Sequence, residues 1–265
     1  MALHYLTTQN TYRSPHRPTS WVARWTPAPA FYARILMIIL KASRLAKKGA
    51  YTNEYWIQSS LDTVKALESV GGRFELQNLA VPRQLESPCV FVGNHMSILE
   101  TFALPCLIQP YRDVTFVIKE SLIAYPFFKH VMQSRNPIVV GRANPREDLK
   151  TVLVEGQKRL NADVSVIIFP QTTRSVHFDH QKFNSLGVKL AKRGKVPVVP
   201  VALKTDAWGI GRRFKDLGKI RPDRPVRITF GDPMPVQGSG KEEHKFIVDF
   251  IVKNMKTWAE KGDLT

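Results

Sequence analysis

Cysteine is scarce in this chain: Cys89 and Cys106 are the only two among 265 residues, and each sits inside an apolar stretch. That excludes a disulfide framework, suits a reducing compartment and marks both thiols as packing residues. Long hydrophobic runs are also missing. Met1 to Ala30 is polar, carries Pro15, Pro18, Pro27 and Pro29, and offers no continuous apolar core of the kind a secretory signal needs. The most hydrophobic stretch, Ile35 to Leu40, is closed by Arg34 and Lys41, well short of the ~18 uncharged residues that span a bilayer. We therefore expect neither a signal peptide nor a transmembrane helix. Negative charge is in short supply too: 22 Asp+Glu against 39 Lys+Arg leave a formal net charge of +17, which favours anionic partners such as phospholipid headgroups, phosphorylated substrates or nucleic acid. There is no internal repeat or low-complexity tract, and the 43% hydrophobic and 10% aromatic content supports a packed core.

Periodicity divides the chain into three parts: a polar N-terminal extension over 1–28, an amphipathic helix pair over 29–70, and a larger domain over 71–265. At ~100° per residue, Arg34, Lys41, Arg44 and Lys48 fall within an arc of about 80°. Tyr32, Ile35, Leu36, Ile38, Ile39, Ala42 and Ala46 fall on the other side, the pattern of a helix lying in a membrane interface. Trp21, Trp25, Phe31 and Tyr32 add interfacial aromatics; the competing reading is a helix docked on the core with a solvated face. A second helical pattern runs from about Asn53 to Ser69, and Gly71-Gly72 then breaks the periodicity. Beyond it, β-rich runs alternate with helical patterns: Phe74 to Leu79, Cys89 to Val92, Val114 to Ile118, Pro137 to Val140, Val164 to Phe169, Val196 to Leu203 and Val226 to Phe230. This alternation predicts an α/β fold, a mixed and mostly parallel sheet flanked by helices. Val164 to Phe169 and Val198 to Leu203 are apolar with little alternation, as in strands covered on both faces. Asn144-Pro145 reads as an N-cap with proline at the first helical position. Phe246, Ile247, Phe250, Ile251, Met255 and Trp258 trace a last helical face.

Ligands of open α/β sheets collect where strands end at their carboxyl side, and four such positions are polar here. Cys89 to Val92 leads into Gly93-Asn94-His95-Met96-Ser97-Ile98-Leu99-Glu100, Val114 to Ile118 into Lys119-Glu120, Pro137 to Val140 into Gly141-Arg142, and Val164 to Phe169 into Pro170-Gln171-Thr172-Thr173-Arg174-Ser175. On one continuous helix His95 and Glu100 would stand about 140° apart. With His95 in the turn after the strand and Glu100 at the start of the next helix, the carboxylate can reach back to the imidazole. Such an acid fixes the tautomer and leaves the other ring nitrogen to take a proton.

Together these residues resemble the glycerolipid acyltransferase family, which makes phosphatidic acid from lysophosphatidic acid. Its His-x4-Asp motif is similar to His95 to Glu100, and its second motif to Pro137-Ile138-Val139-Val140-Gly141-Arg142. The third, Phe-Pro-Glu-Gly-Thr-Arg-Ser, resembles Phe169-Pro170-Gln171-Thr172-Thr173-Arg174-Ser175, and a Val-Pro-Val-Val-Pro-Val run resembles Val196 to Val201. Phe116 to Leu122 with Pro126-Phe127-Phe128 looks like the family's linking segment. The likeness covers most of residues 71 to 235, and the helices before Gly71 are similar to the amphipathic pair that some bacterial members use on the membrane.

The resemblance implies the glycerolipid acyltransferase fold and transfer of a fatty acyl group from an acyl thioester to a lysolipid hydroxyl, most simply that of lysophosphatidic acid, without a covalent enzyme intermediate. The donor would be acyl-CoA or acyl carrier protein, with no cofactor and no metal. His95 would be the general base and Glu100 its orienting acid. Arg142, Arg174 and Lys119 would hold phosphate, and Asn94, Gln171, Thr172, Thr173 and Ser175 would form the acceptor and oxyanion region. The protein would sit peripherally on an anionic membrane surface, at the cytoplasmic face of the cell membrane. Three departures stand out: Glu100 for the usual Asp, Gln171-Thr172 for Glu-Gly, and Phe183-Asn184-Ser185 for the family's Phe-Lys-x-Gly stretch. They keep two alternatives open, a different acceptor (another lysolipid or an aminolipid) and a non-catalytic membrane-binding relative. Dispersed basic residues without a zinc finger or an aromatic-basic motif argue against nucleic acid. His177, Asp179 and His180 lack a convincing further metal ligand.

Overall fold

The computed structural model describes residues 6, 9–15, 25–123, 128–171 and 173–262. Its strands are β1 (Thr11–Arg13), β2 (Phe74–Gln77), β3 (Val90–Gly93), β4 (Val114–Lys119), β5 (Ile138–Val140), β6 (Ser165–Ile168), β7 (Val198–Lys204) and β8 (Val226–Phe230). They form a single sheet in the order β1-β2-β8-β7-β3-β6-β4-β5. Only β1/β2 and β7/β8 pair antiparallel, so the sheet is mostly parallel, as the alternation of elements predicts. Seven strands coincide with the apolar runs of the sequence. The eighth, β1, lies in the polar extension and shows no apolar alternation. It is held at the sheet edge by its pairing with β2 and by Tyr12 and Ser14 hydroxyls that donate to the Glu68 carboxylate.

The central strands bury both faces, and alternate residues along them enter different cores. Phe91 of β3, Ile167 of β6 and Val199, Val201 and Leu203 of β7 join one core, together with Phe31, Trp56, Leu61 and Leu67. Those last four belong to helices α1 (Pro27–Lys47) and α2 (Asn53–Glu68). Val90 and Val92, Val166 and Ile168, and Val198 and Ala202 face the other way. There they meet Val152 and Leu160 of α4 (Pro145–Asn161), Val188 of α5 (Leu186–Gly194) and Ile247, Ile251 and Trp258 of α6 (Lys241–Gly262). A short α3 (Leu99–Ala103) follows β3. The start of α4 follows its sequence signal: Pro145 opens the helix, and the Asn144 side chain accepts from the Arg146 and Glu147 N–H groups.

The first core runs unbroken across residue 71, where Gly71 (φ 95°) makes the turn from the helix pair into β2. Helix α1 divides its apolar residues: Ile35 and Ala42 are buried in that core, whereas Leu36 and Met37 stay exposed. Cys89 and Cys106 are buried free thiols, and burial pushes the Cys106 thiol up to about 12. No described helix is long and apolar enough to cross a membrane. The arrangement brings the carboxyl ends of β3, β6 and β7 side by side, and the polar segments Asn94–Glu100, Pro170–Ser175 and Thr205–Asp206 meet there.

Candidate active site

The chain leaves β3 at Gly93, turns through Asn94 to Ile98, and enters α3 with Glu100 in its first turn. His95 Nδ1 lies 3.2 Å from Glu100 Oε2. An ionised carboxylate only accepts, so in the neutral imidazole Nδ1 is the nitrogen that carries the proton and Nε2 the one with the lone pair. Glu100 is fully buried, which is costly for a charge unless donors surround it. They do: Oε1 accepts from Met96 N–H at 2.8 Å, Ser97 N–H at 2.8 Å and Thr205 Oγ1 at 2.6 Å. The Ser97 hydroxyl donates in turn to Thr205 Oγ1, so the turn before α3 and the residue after β7 are tied through one carboxylate.

The imidazole is fixed from other sides as well. Phe169, the last residue before the third motif turns, stacks on it with ring centroids 4.5 Å apart and planes within 5°. His95 N–H donates to Gln171 Oε1 at 2.6 Å, and Ser175 N–H donates to the His95 carbonyl at 2.9 Å. The side chain remains 15% exposed, enough for a substrate atom to reach one ring edge.

Several residues of the expected acceptor and oxyanion region make hydrogen bonds within the frame. Asn94 is 2% exposed, with Nδ2 donating to the Leu203 carbonyl and Oδ1 accepting from Leu203 N–H. It clasps β3 to β7. Ser175 turns its hydroxyl to the His177 carbonyl. Gln171 takes up the His95 N–H through its amide oxygen, so the residue that departs from the family motif still supplies an acceptor there. Asn184 accounts for another: its Nδ2 donates to the Pro170 carbonyl and its Oδ1 accepts from Leu186 N–H at the start of α5. Thr173 is exposed, and Thr172 lies outside the described residues.

The cations are placed unequally. Arg174, with 18% of its side chain exposed, pairs with Asp216 at 2.6 Å. Arg142 follows β5 in the left-handed region (φ 62°), its backbone N–H directed at Asp148 Oδ1. Burial holds the Arg142 guanidinium below its ordinary pKa, Asp148 opposes that shift, and the positive charge of Arg174 adds to it. Lys119 is exposed at the end of β4, with β6 between it and β3. His177, Asp179 and His180 do not assemble with further ligands: no group of three metal-ligating side chains occurs among the described residues. A groove of about 600 Å³ is lined by Glu86, Ser87, Lys195 and Pro197. These residues lie at the amino ends of β3 and β7, away from His95, so the chemistry rather than the cavity size marks the site.

Two contributors escaped the sequence reading. Thr205 directly follows an apolar central strand, so inspection of every strand end would have found it. Asp216 lies within the long β7–β8 connection and carries no local signal. Thr205→Val keeps the shape but removes a hydrogen bond to a charged group, a contribution of about 1.5–3 kcal/mol. Urea unfolding is expected to show a loss of that size, with a lower kcat at little-changed KM; Thr205→Ser, which keeps the hydroxyl, restores both.

The chain is similar to several known proteins. Residues 73–204 match the family described as Acyltransferase. A 1-acyl-sn-glycerol-3-phosphate acyltransferase of Pseudomonas aeruginosa is 30% identical over 171 residues, 64% of this chain and 62% of the relative. The human 1-acyl-sn-glycerol-3-phosphate acyltransferase beta is 30% identical over 189 residues, 71% of this chain and 65% of its own. The chain thus spans less than two thirds of the length of these curated relatives. The crystal structure of the 1-acyl-sn-glycerophosphate acyltransferase PlsC from Thermotoga maritima superposes with a TM-score of 0.61 at 18% identity, covering 89% of this chain and 96% of that one. It shares the fold.

Proposed function

The chain belongs, through residues 73–204, to the acyltransferase family, and from that premise we propose that it moves a fatty acyl group from an acyl thioester to the free hydroxyl of a lysophospholipid, with lysophosphatidic acid as the acceptor. The relatives are named for acylating 1-acyl-sn-glycerol 3-phosphate. The observation that carries the reading is the committed Nδ1 of His95: Glu100 holds it at 3.2 Å, so the basic nitrogen is the one left for substrate.

In the proposed reaction, Nε2 takes the proton of the acceptor hydroxyl as its oxygen attacks the thioester carbonyl. The C–O bond forms, the tetrahedral oxyanion collapses, the C–S bond breaks, and the thiolate leaves with the proton returned by the imidazolium. Glu100 stabilises that imidazolium without itself being protonated. Arg174 and Arg142 grip the acceptor phosphate, Arg174 exchanging its Asp216 partner for the ligand. Bidentate guanidinium-to-phosphate geometry suits this orienting task. The donor is acyl-CoA or acyl carrier protein, both already activated, and the reaction takes place at a membrane surface that supplies the acceptor.

A mass-spectrometric screen of lysolipid acceptors with one acyl-CoA tests this proposal: phosphate-bearing lysolipids should be acylated, and transfer to none of them would refute it. Arg174→Lys is expected to raise the acceptor KM about tenfold with the donor KM nearly unchanged, since a point charge replaces a planar fork. Steady-state kinetics with each substrate varied in turn will measure it, and an equal rise in both constants would contradict the assignment.

A further inference from the structure

The connection between β7 and β8 forms a closed hairpin lobe. Arg221 N–H donates to the Ala207 carbonyl, Gly209 N–H to Lys219 and Gly211 N–H to Lys215, and Trp208 and Ile220 form a β-bridge. The glycines permit this closure, since a Cβ on Gly218 would lie 1.8 Å from the Gly209 carbonyl oxygen. The base of the lobe is anchored. Trp208 and Ile220 are both 2% exposed, Trp208 packs edge-on against Phe31 and Tyr32 of α1, and the Tyr32 hydroxyl donates to the Gly218 carbonyl.

The tip shows the opposite composition. Phe214 is 66% exposed and Leu217 59%, with Ile210 at 37%. Arg212, Arg213, Lys215 and Lys219 are exposed between and beside them, and none of the four has a carboxylate partner among the described residues. Large apolar side chains at the tip of a hairpin whose base is buried lie open to water, and the cations around them repel one another there. An interface that is apolar inside and anionic outside removes both costs. Leu36, exposed one turn beyond Tyr32 on α1, extends the apolar surface next to the lobe.

We propose that the 210–219 lobe is a docking surface for anionic phospholipid bilayers, Phe214 and Leu217 entering the interface while Arg212, Arg213 and Lys215 contact headgroup phosphates. Asp216 lies between the inserting residues, its carboxylate on Arg174 and its carbonyl accepting from Trp208 Nε1. Docking therefore acts on the side chain that holds Arg174. The effect on turnover rests on the acyl-transfer reading, whereas the docking does not.

Because Cys89 and Cys106 are buried, an environment-sensitive thiol dye on Leu217→Cys reports the lobe alone. With vesicles of phosphatidylglycerol and phosphatidylcholine its emission should shift to the blue, and with phosphatidylcholine alone it should not. Phe214→Ser/Leu217→Ser in the full chain should weaken vesicle binding about tenfold or more, with transfer between soluble short-chain substrates unchanged. A full chain that binds the anionic vesicles with no dye shift, one that does not bind them at all, or an equal shift with an oligonucleotide or acidic carrier protein in place of vesicles overturns the proposal. Phe214→Cys replaces the labelled variant if thermal melts show that Leu217→Cys has not folded. Binding is read without turnover, so failure here and failure of the transfer reaction are separate results.

Discussion

His95→Ala is expected to lower kcat/KM for acyl transfer by about 10²–10⁴-fold while leaving the thermal melt and vesicle binding close to those of the wild type. In the proposed reaction the imidazole Nε2 takes the acceptor's proton, so its loss removes the route by which that hydroxyl becomes a nucleophile. The fold tolerates the change because the backbone ties at this position do not involve the ring: His95 N–H goes to Gln171 and the His95 carbonyl to Ser175. Glu100 also keeps its backbone donors and Thr205, so no buried charge is stranded. Steady-state assays paired with calorimetry will separate these effects, and near-normal turnover would remove His95 from the chemistry.

Glu100→Gln is expected to be nearly as damaging to turnover, about 10²–10⁴-fold, but for a different reason and with a stability cost. The substitution preserves size while replacing one acceptor oxygen by an NH₂ donor. If the amide oxygen stays with Met96, Ser97 and Thr205, the NH₂ group faces His95 Nδ1 and the Ser97 N–H, which contacts Oε2 at 3.1 Å. The imidazole then accepts at Nδ1 and carries its proton on Nε2, the tautomer unable to act as base. If the amide is flipped, three donors face an NH₂ group. Either way the buried N–H donors lose a charged acceptor, and in the flipped orientation some lose their partner outright, at about 1–3 kcal/mol. Chemical denaturation should detect that loss, and ¹⁵N spectra of the His95 ring should show the proton exchanged between nitrogens. A variant with wild-type turnover and unchanged ring signals would show that the carboxylate does not position the base.

The legibility of this protein from its sequence followed the range of the interactions. β3, β6 and β7 announce themselves because burial on both faces demands continuous apolar runs, and the Asn144-Pro145 start of α4 is encoded within three residues. His95 and Glu100 were legible because a strand–turn–helix of that length brings two side chains five positions apart together locally. The roles of Asn94 and Ser175 were not. Each is a polar residue beside the His95–Glu100 or third motif, and only the placement of β7 next to β3 shows that Asn94 bonds Leu203. The Arg174–Asp216 pair joins residues 42 positions apart in separate loops, so nothing local could pair them. β1 escaped for a related reason: its pairing partner, not its own composition, makes it a strand.

The central claim is that a lipid hydroxyl, activated at His95 Nε2, attacks the thioester directly. Single-turnover mixing of excess purified protein with acyl-CoA and lysophosphatidic acid, followed at the same time by lipid and intact-protein mass spectrometry, tests it most directly. The account predicts phosphatidic acid appearing in step with free CoA, at the rate the thioester disappears, with the protein mass unchanged at every time point and product from His95→Ala slower by about 10²–10⁴-fold. An acyl adduct on the protein that forms before the product and decays into it, or thioester consumed without acylated lipid, would contradict it.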